Sequence, residues 1–239
     1  MSLPKAWTIT DTRSDNAELD WHAIDTVLFD MDGTVLDLHF DNYFWEELVP
    51  QRYGQRHGLS QQDAAAHLRR EYGSVKGTLA WYCLDFWSER LDMDIAGLKE
   101  QVRHKIALRP NAIRFVQALR KQGKKLMLVT NAHPGSLALK MRHTGIAAHF
   151  DHQISSHRFK LAKENPGFWQ ALRAHAPYDP DRTLLIDDSL PVLRQAQAEG
   201  IAHLRAIHQP DSQRDAVAGE PAFPQIRDFA DIMTGPLRE

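Results

Sequence analysis

Asp25-Thr-Val-Leu-Phe-Asp-Met-Asp-Gly-Thr34 is the stretch of this 239-residue chain that decides the fold. Its short apolar run closes on Asp30, Asp32 and Gly33, a pattern typical of a buried parallel strand that ends in a functional turn. Two carboxylates two positions apart can flank one ligand, and the glycine permits a tight backbone course. The stretch therefore predicts a buried parallel strand with chemistry at its carboxyl end.

The same pattern recurs twice further along the chain. Lys125-Leu-Met-Leu-Val-Thr130 and Arg182-Thr-Leu-Leu-Ile-Asp187 are apolar runs that also stop at a polar residue. Since ligands of parallel α/β sheets bind beyond the carboxyl ends of the strands, we expect Asp30, Thr130 and Asp187 to lie near one another.

Helical patterns separate and follow these runs. The first predicted helix extends from Asn111 to Gln122 and places Ile113, Val116 and Leu119 on one apolar stripe. Another predicted helix begins after Ser189, which is a candidate N-cap. Alternation of strands and helices predicts an α/β fold: a Rossmann-like three-layer core with a mainly parallel sheet covered on both faces.

One long segment breaks this alternation. Residues 38–109 are rich in aromatic residues, show helical spacing and contain no convincing strand. We therefore predict an inserted all-helical cap at 38–109 and a core formed by residues 1–37 and 110–239. The opening segment through Asp20 is polar, and we expect a surface extension without chemistry.

Composition narrows the class of partner. A hydrophobic fraction of 43% supports a sizeable core, while a net charge of -2 offers no broad basic surface for nucleic acid or an anionic membrane. No apolar run reaches the roughly 20 residues that span a bilayer, and no secretory signal is visible, so we expect a cytoplasmic protein. The single cysteine excludes an internal disulfide. A small molecule is the expected partner.

The paired acids have more than one interpretation. Asp-x-Asp also occurs in calcium loops, but those need further acidic ligands and flanking helices, whereas a strand precedes Asp30. Asp187 and Asp188 add carboxylates at another strand end, where they either cap the next helix or help to bind a cation. Because negative charge at a buried strand end is costly without a counter-charge, these hard oxygen ligands indicate Mg²⁺.

A phosphate group would need donors near those acids. Thr130 and Asn131 offer a hydroxyl and backbone N–H groups close to a predicted helix N-terminus. Lys163 would add a fixed positive charge, although a lone lysine is more often a solvated surface residue.

Taken together, these residues resemble a known family. Phe29-Asp-Met-Asp-Gly-Thr34, Val129-Thr-Asn131, Lys163 with Pro166, and Ile186-Asp-Asp-Ser189 are similar to the four ordered motifs of the haloacid-dehalogenase-like superfamily. The resemblance covers nearly all of the chain. It implies a Rossmann-like core with a mobile helical lid inserted after the first motif.

The resemblance also implies roles for individual residues. Asp30 corresponds to a nucleophile that forms an aspartyl-phosphate, and Asp32 to a general acid/base whose backbone carbonyl is a metal ligand. Thr130, Asn131 and Lys163 correspond to phosphate-binding groups. The remaining magnesium ligands correspond to Asp30, Asp187 and Asp188.

One position departs from the family pattern. Glu164 follows Lys163 where many relatives have proline, and Lys160 is nearby. Which lysine reaches the phosphate is therefore open, with Lys163 favoured.

Within the superfamily, three segments resemble the bacterial nucleotidases that act on GMP and IMP: residues 40–50, 81–90 and 130–134. This resemblance implies a phosphate ester substrate, a purine nucleotide. Rings such as Trp45 and Trp81 would stack on the base while Asn42 or Asp85 reads its edge. Packing of the cap helices is the alternative role for these rings, and a turn element is the alternative role for His133, a candidate pocket residue.

Four other functions are alternatives to this one. A dehalogenase would not need Asp32, because a halide leaves without protonation. A phosphatase of small metabolites such as phosphoglycolate or sugar phosphates, or a phosphomutase, would use the same first motif. A binding protein that has kept the fold and lost the chemistry is a further alternative. Such proteins usually lose a catalytic acid, and here every motif acid is present.

Overall fold

The computed structural model describes residues 19–219 and 223–233, so most of the predicted N-terminal extension lies outside the described residues. Six strands in that part of the chain form one sheet: β1 (Thr26–Phe29), β2 (Lys125–Thr130), β3 (His152–Ser155), β4 (Thr183–Asp187), β5 (His203–Ile207) and β6 (Gln225–Ile226). Their order is β3-β2-β1-β4-β5-β6, and every pairing is parallel. The predicted α/β fold is confirmed.

Helices connect and cover the strands. They are α1 (His39–Tyr43), α2 (Val49–His57), α3 (Gln61–Val75), α4 (Leu84–Leu91), α5 (Ile95–Gln101), α6 (Ala112–Lys121), α7 (Pro134–Thr144), α8 (Phe168–His175) and α9 (Leu190–Ala198). A π-helical segment, Phe44–Leu48, joins α1 to α2. Among residues 19–219 and 223–233, no helix has both the length and the apolar character that a bilayer crossing requires.

The sheet is apolar on both faces. Successive residues of a strand point to opposite sides, and in β1 Val27 and Phe29 pack in one hydrophobic cluster while Leu28 packs in another. All three are at most 1% exposed. This two-sided burial explains why the strands read as continuous apolar runs.

Helix α6 covers the face of Val27, but one detail of its predicted stripe is wrong. The buried residues are Ala112, Phe115, Val116 and Leu119, whereas Ile113 is 36% exposed. The buried side chains recur at intervals of three and four, and Ile113 is one position off that row, about 100° around the helix. The prediction therefore placed Ile113 on the buried stripe, whereas in the structure Ala112 occupies that place.

The start of α9 also differs in detail from the prediction. Ser189 lies at the N-cap position, but its side chain makes no capping hydrogen bond. The Asp187 Oδ1 atom instead accepts a hydrogen bond from the Ser189 backbone N–H at 2.9 Å. This bond ties the end of β4 to the start of the helix.

The segment between β1 and α6 contains helices α1 to α5 and, among the described residues, no strand of the sheet. These helices have a hydrophobic cluster of their own, formed by Phe44, Leu48, Val49, Leu68, Leu84, Trp87, Leu91 and Ile95. An isolated antiparallel bridge between Leu36 and Leu108 brings the two ends of the segment together. We call the segment the cap, and its limits at 38 and 109 stay a prediction.

Substitution of Leu185 tests how much the sheet core contributes to stability. Leu185 lies in β4, between β1 and β5, and is fully buried. We expect Leu185→Ala to lower the free energy of unfolding by about 2–5 kcal/mol, through lost apolar contact and a residual cavity. Urea denaturation measures this value. Leu59→Ala is the matched control, since Leu59 is 42% exposed, and equal losses in the two variants would contradict the assignment of the core.

Candidate active site

Lys163 joins the ends of three strands. Its Nζ atom donates to Asp30 Oδ1 at 2.5 Å, to Asp187 Oδ2 at 2.7 Å and to the Val129 carbonyl oxygen at 3.1 Å. The side chains of Lys163, Asp30 and Asp187 are 2%, 8% and 1% exposed. One buried ammonium group is therefore shared by two buried carboxylates.

Strand register produces this arrangement. Strand β1 pairs with β4 so that Phe29 lies opposite Ile186, and the next residues of the two strands, Asp30 and Asp187, are side by side. Strand β2 flanks β1 on the other side and supplies Val129. The Asp30 N–H donates to the Ile186 carbonyl oxygen at 3.0 Å, which fixes the start of the turn.

The loop after β3 brings Lys163 to these strand ends. Its backbone N–H donates to the Asn131 Oδ1 atom at 2.8 Å. Lys160 is exposed and has left-handed backbone geometry with φ 57°. Of the two lysines that the sequence leaves open, Lys163 is the one beside Asp30.

Asp188 completes an acidic cluster. Asp30, Asp187 and Asp188 each place one carboxylate oxygen within 4.8 Å of the others. Burial, together with the neighbouring charges of Asp30 and Asp187, raises the pKa of Asp188 well above its ordinary value. Lys163 offsets only part of this negative charge. Mg²⁺ prefers hard oxygen ligands, and this cluster offers three carboxylates with negative charge that Lys163 does not neutralise. These residues therefore fit Mg²⁺.

The turn after β1 presses closely against Asp188. Gly33 has φ +87°, which favours glycine, and a Cβ atom there would lie 2.6 Å from Asp188 Oδ2. Three successive backbone N–H groups, those of Thr34, Val35 and Leu36, converge on the Met31 carbonyl oxygen. The predicted tight course at Gly33 is thus what allows the two acidic motifs to approach.

Asp32 lies outside the acidic cluster and has a different partner. Its Oδ1 atom accepts a hydrogen bond from Lys140 Nζ at 2.6 Å. Burial raises the pKa of Asp32 to about 6, although the Lys140 charge opposes the rise. Asp30 behaves alike: burial raises its pKa to about 6 despite Lys163. The first motif therefore contains two carboxyl groups that titrate near neutral pH.

Lys140 belongs to a buried chain of charges that sequence analysis missed. Its Nζ atom also donates to Asp41 Oδ2 at 2.6 Å, and Asp41 Oδ1 accepts from Lys99 Nζ at 2.6 Å. Burial acts to raise the pKa of Asp41, but the two ammonium groups outweigh it and lower that pKa to about 2. Since Asp41 and Lys99 belong to the cap and Lys140 to α7, this chain links the cap to Asp32.

Glu164, the departure from the family pattern, has a structural role. Its Oε2 atom accepts from Asn131 Nδ2 at 2.8 Å, and its Oε1 atom accepts from the Tyr82 hydroxyl at 3.0 Å. Asn131 in turn holds the backbone of Lys163. Glu164 therefore connects the cap to the loop that carries the lysine, and no sequence signal besides its position pointed to this.

A cavity of about 830 Å³ opens between the cap and the strand ends. Its lining includes Asp30, Asp32, Thr130, Lys163, Asp187 and Asp188 on one side and Asn42, Trp45, Arg69, Trp81 and Tyr82 on the other, with His133 at the edge of the core. The structure thus brings most of the sequence-predicted site residues to one space.

Asp85 is the exception. It is absent from the cavity lining among the described residues, and its side chain is 85% exposed. Its Oδ2 atom lies 3.4 Å from His133 Nε2. Asn42 does line the cavity, and its Nδ2 atom donates to Asp211 Oδ2 at 2.7 Å.

The aromatic side chains of the cap divide into two groups. Phe44 and Trp87 are at most 1% exposed and belong to the cap cluster, so packing accounts for most of their surface. Trp45 and Trp81 line the cavity, as Trp87 also does, but they are only partly buried. Both meet Tyr72 edge to face, at ring-centroid distances of 5.8 Å, and this contact braces the two indole rings.

Comparison with known proteins identifies relatives. A family profile described as haloacid dehalogenase-like hydrolase matches residues 24–200. GMP/IMP nucleotidase YrfG of Escherichia coli K12 is 45% identical over 192 residues, which cover 80% of this chain and 86% of that protein. The protein of the same name from Shigella flexneri matches equally. A crystal structure of an HAD phosphatase from Thermococcus onnurineus has the same fold, with TM-score 0.74, 23% identity and coverage of 88% of this chain and 96% of that one.

The raised carboxyl pKa values predict how stability depends on pH when no divalent ion is bound. Burial raises the pKa of Asp30 and Asp32 to about 6 from an ordinary 3.8, so the native state binds protons more tightly than the unfolded chain. We expect the free energy of unfolding to rise as the pH falls from above 6 towards 3.8. Urea denaturation of chelator-treated protein at several pH values measures this slope.

Two other groups do not reverse that expectation. Asp41 loses its stabilising contribution only below pH 3.8, because its pKa is lowered to about 2. Burial lowers the pKa of His157, so this group destabilises the protein as the pH falls, but it is one group against two. Asp32→Asn is the control and should flatten the slope. Metal-free protein that is most stable above pH 7 would contradict the assignment.

Proposed function

Because the chain belongs to the haloacid dehalogenase-like hydrolase family, we propose that it is a magnesium-dependent phosphomonoester hydrolase acting through an aspartyl-phosphate on Asp30. The observation that carries this proposal is the position of Asp30, held by Lys163 at 2.5 Å beside Asp187 and Asp188, at the floor of the cavity.

Asp30 is the proposed nucleophile. A carboxylate and a phosphate ester repel each other unless positive charge lies between them, and the Lys163 ammonium is already in contact with Asp30. An Asp30 oxygen attacks phosphorus in line, the bond from phosphorus to the ester oxygen breaks, and the leaving alcohol takes up a proton. Water then attacks phosphorus, inorganic phosphate leaves and the carboxylate is restored.

Asp32 is the proposed general acid and base. Its pKa of about 6 keeps a useful fraction protonated near neutral pH, so it can donate the proton that the leaving oxygen needs. The resulting carboxylate accepts a proton from the attacking water. Lys140, at 2.6 Å, stabilises that charged form.

The acidic cluster is the proposed magnesium site. Carboxylate oxygens of Asp30, Asp187 and Asp188 would hold the ion, with the backbone carbonyl of Asp32 as the further ligand that the family resemblance implies. When bound, Mg²⁺ supplies the positive charge that neutralises the phosphoryl oxygens.

Thr130 and Asn131 are the proposed phosphate-binding groups beside Lys163. The Thr130 Oγ1 atom accepts a hydrogen bond from the Ala132 N–H at 3.0 Å, so its hydroxyl proton is the group that it offers to a phosphate oxygen. The side chain of Asn131 is engaged by Lys163 and Glu164. Asn131 therefore contributes by holding this corner of the site rigid and by its backbone N–H.

A purine 5'-nucleotide of the GMP or IMP type is the proposed substrate. The relative from Escherichia coli that shares 45% identity bears the name of an enzyme acting on these two nucleotides. The cavity volume of about 830 Å³ suits a ligand of that size. Trp45 and Trp81 would stack on the base, and Asn42 and His133 would contact its edges or the ribose.

The function is tested by phosphate release from GMP and IMP, with Mg²⁺ present or chelated. We expect activity only with Mg²⁺, and a loss on the order of 10³-fold or more in Asp30→Asn, since removal of a nucleophile abolishes the covalent path. Asp215→Asn is the matched control because Asp215 is exposed and lies outside the site. Asp30→Asn that keeps the rate of the unaltered enzyme would defeat the proposal.

The substrate is tested separately by a panel of GMP, IMP, AMP, phosphoglycolate and hexose phosphates. We expect Trp81→Leu to lower kcat/KM for GMP by about tenfold through lost stacking, about 1–3 kcal/mol per base. The same variant should leave phosphoglycolate hydrolysis nearly unchanged, because that substrate has no base. Equal rates of the unaltered enzyme on every ester would point to a phosphatase of small metabolites instead.

A further inference from the structure

A second cluster of metal-binding side chains lies at the boundary between cap and core, apart from the acidic cluster. Cys83 precedes α4 in the cap, His133 precedes α7, and His157 lies in the 3-10 turn Ser156–Phe159 that follows β3. Each of the three offers one ligand atom, and these atoms all lie within 4.8 Å of one another. Three separate segments of the chain therefore converge on one point.

His157 is the least satisfied member of the cluster. Its Nε2 atom is buried and has no hydrogen-bond partner among the described residues. A buried ring nitrogen without a partner is unusual in a folded protein, and a metal ion is a partner that it can bind. Burial, with a smaller effect of His133, lowers the pKa of His157. Burial thus favours the neutral ring, which is the form that binds metals.

His133 is oriented towards the same point. Its ring centroid lies 5.1 Å from that of His157, and the two planes are nearly perpendicular at 87°. Its Nδ1 atom accepts a hydrogen bond from the Gly135 N–H at 3.2 Å, and its Nε2 atom faces Asp85. A metal ion bound at Nε2 would require the ring proton on Nδ1, and water would then accept the hydrogen bond of the exposed Gly135 N–H.

Cys83 brings sulfur to the cluster from the cap side. Its Sγ atom accepts a hydrogen bond from the Phe86 N–H at 3.5 Å as the N-cap of α4, which fixes the direction of the side chain. Leu84 lies over the start of α7, with its Cδ1 atom 3.8 Å from the position of a Cβ atom on Gly135. The first turns of α4 and α7 are therefore packed together at this point.

These ligands differ in kind from the acidic cluster. One thiolate and two imidazoles are a donor set of Zn²⁺, which binds four ligands tetrahedrally, whereas Mg²⁺ selects oxygen. The fourth ligand would be either Asp85 or a water molecule. The Asp85 side chain is 85% exposed and lies 3.4 Å from His133, so it can rotate towards the ion. We propose that Cys83, His133 and His157 form a zinc site that joins the cap to the core.

The site has a consequence for turnover, and this part rests on the proposed function. His133 lines the substrate cavity, while Cys83 belongs to the cap. An ion held by both fixes the cap over the cavity, and substrate entry and product release need that boundary to open. Zn²⁺ therefore inhibits the enzyme reversibly from a position outside the magnesium site.

Cobalt titration of the metal-free full-length chain tests the site independently of any activity. We expect one equivalent of Co²⁺ to produce a thiolate-to-cobalt charge-transfer band together with the visible bands of tetrahedral Co²⁺, and Zn²⁺ to abolish both. Because Cys83 is the single cysteine of the chain, oxygen ligands elsewhere cannot produce the thiolate band. Absence of that band at excess Co²⁺ would overturn the proposal.

Variants show whether the three residues act together. Cys83→Ser keeps an N-cap oxygen for α4 and should lose the thiolate band, while His157→Gln should weaken Co²⁺ binding at least about tenfold. His143→Gln is the matched control, since His143 is exposed. A thiolate band of unchanged affinity in His157→Gln would overturn the three-ligand site.

Kinetics test the effect on the cap. Cys83→Ser should hydrolyse substrate at the rate of the unaltered enzyme and require at least about tenfold more Zn²⁺ for half-inhibition. Equal inhibition of both proteins would overturn the cap-joining role, because Zn²⁺ would then act at the acidic cluster alone. If neither protein releases phosphate, the proposed function fails while the cobalt titration still decides the zinc site.

Discussion

The ammonium group of Lys163, shared by the buried carboxylates of Asp30 and Asp187, is the interaction on which the rest of the site depends. Burying charge without a partner is costly, and the parallel sheet places two acids side by side at its carboxyl edge. Lys163 makes this placement tolerable and, with Asp188, leaves negative charge in excess. Under the proposed function, this excess of negative charge is what would attract a cation, and Asp30 is the carboxylate that would react.

A buried chain of four charged side chains extends this principle from the core into the cap. Asp32 accepts a hydrogen bond from Lys140, which also donates to Asp41 of the cap. Asp41 accepts a further hydrogen bond from Lys99, also in the cap. The proposed acid and base of the reaction thus shares its counter-charge with the element that covers the substrate. Cap position and protonation of Asp32 are expected to be coupled, because the negative charge of Asp41 raises the pKa of Asp32 and its movement with the cap would change that effect.

How far the sequence predicts this structure depends on the kind of signal. Strand ends such as Asp30 and Asp187 are predictable, because an apolar run closed by an acid has few structural interpretations. Lys140 was not predictable, since a lysine on a helix is normally solvated and only tertiary packing brings its Nζ to Asp32. The exposure of Asp85 likewise follows from the rotation of α4 about its own axis. Helical periodicity shows which residues share a face of α4, but it does not show which face is turned towards the core.

Chemical trapping at position 30 tests the central claim most directly. A reaction of the enzyme with GMP and Mg²⁺ is quenched in acid and treated with borohydride, which reduces an acyl phosphate to the alcohol, and the peptides are then sequenced by mass spectrometry. The account predicts homoserine in place of Asp30, and its absence when the metal is chelated. Turnover that continues with no homoserine at position 30, or with homoserine at another aspartate, would contradict it.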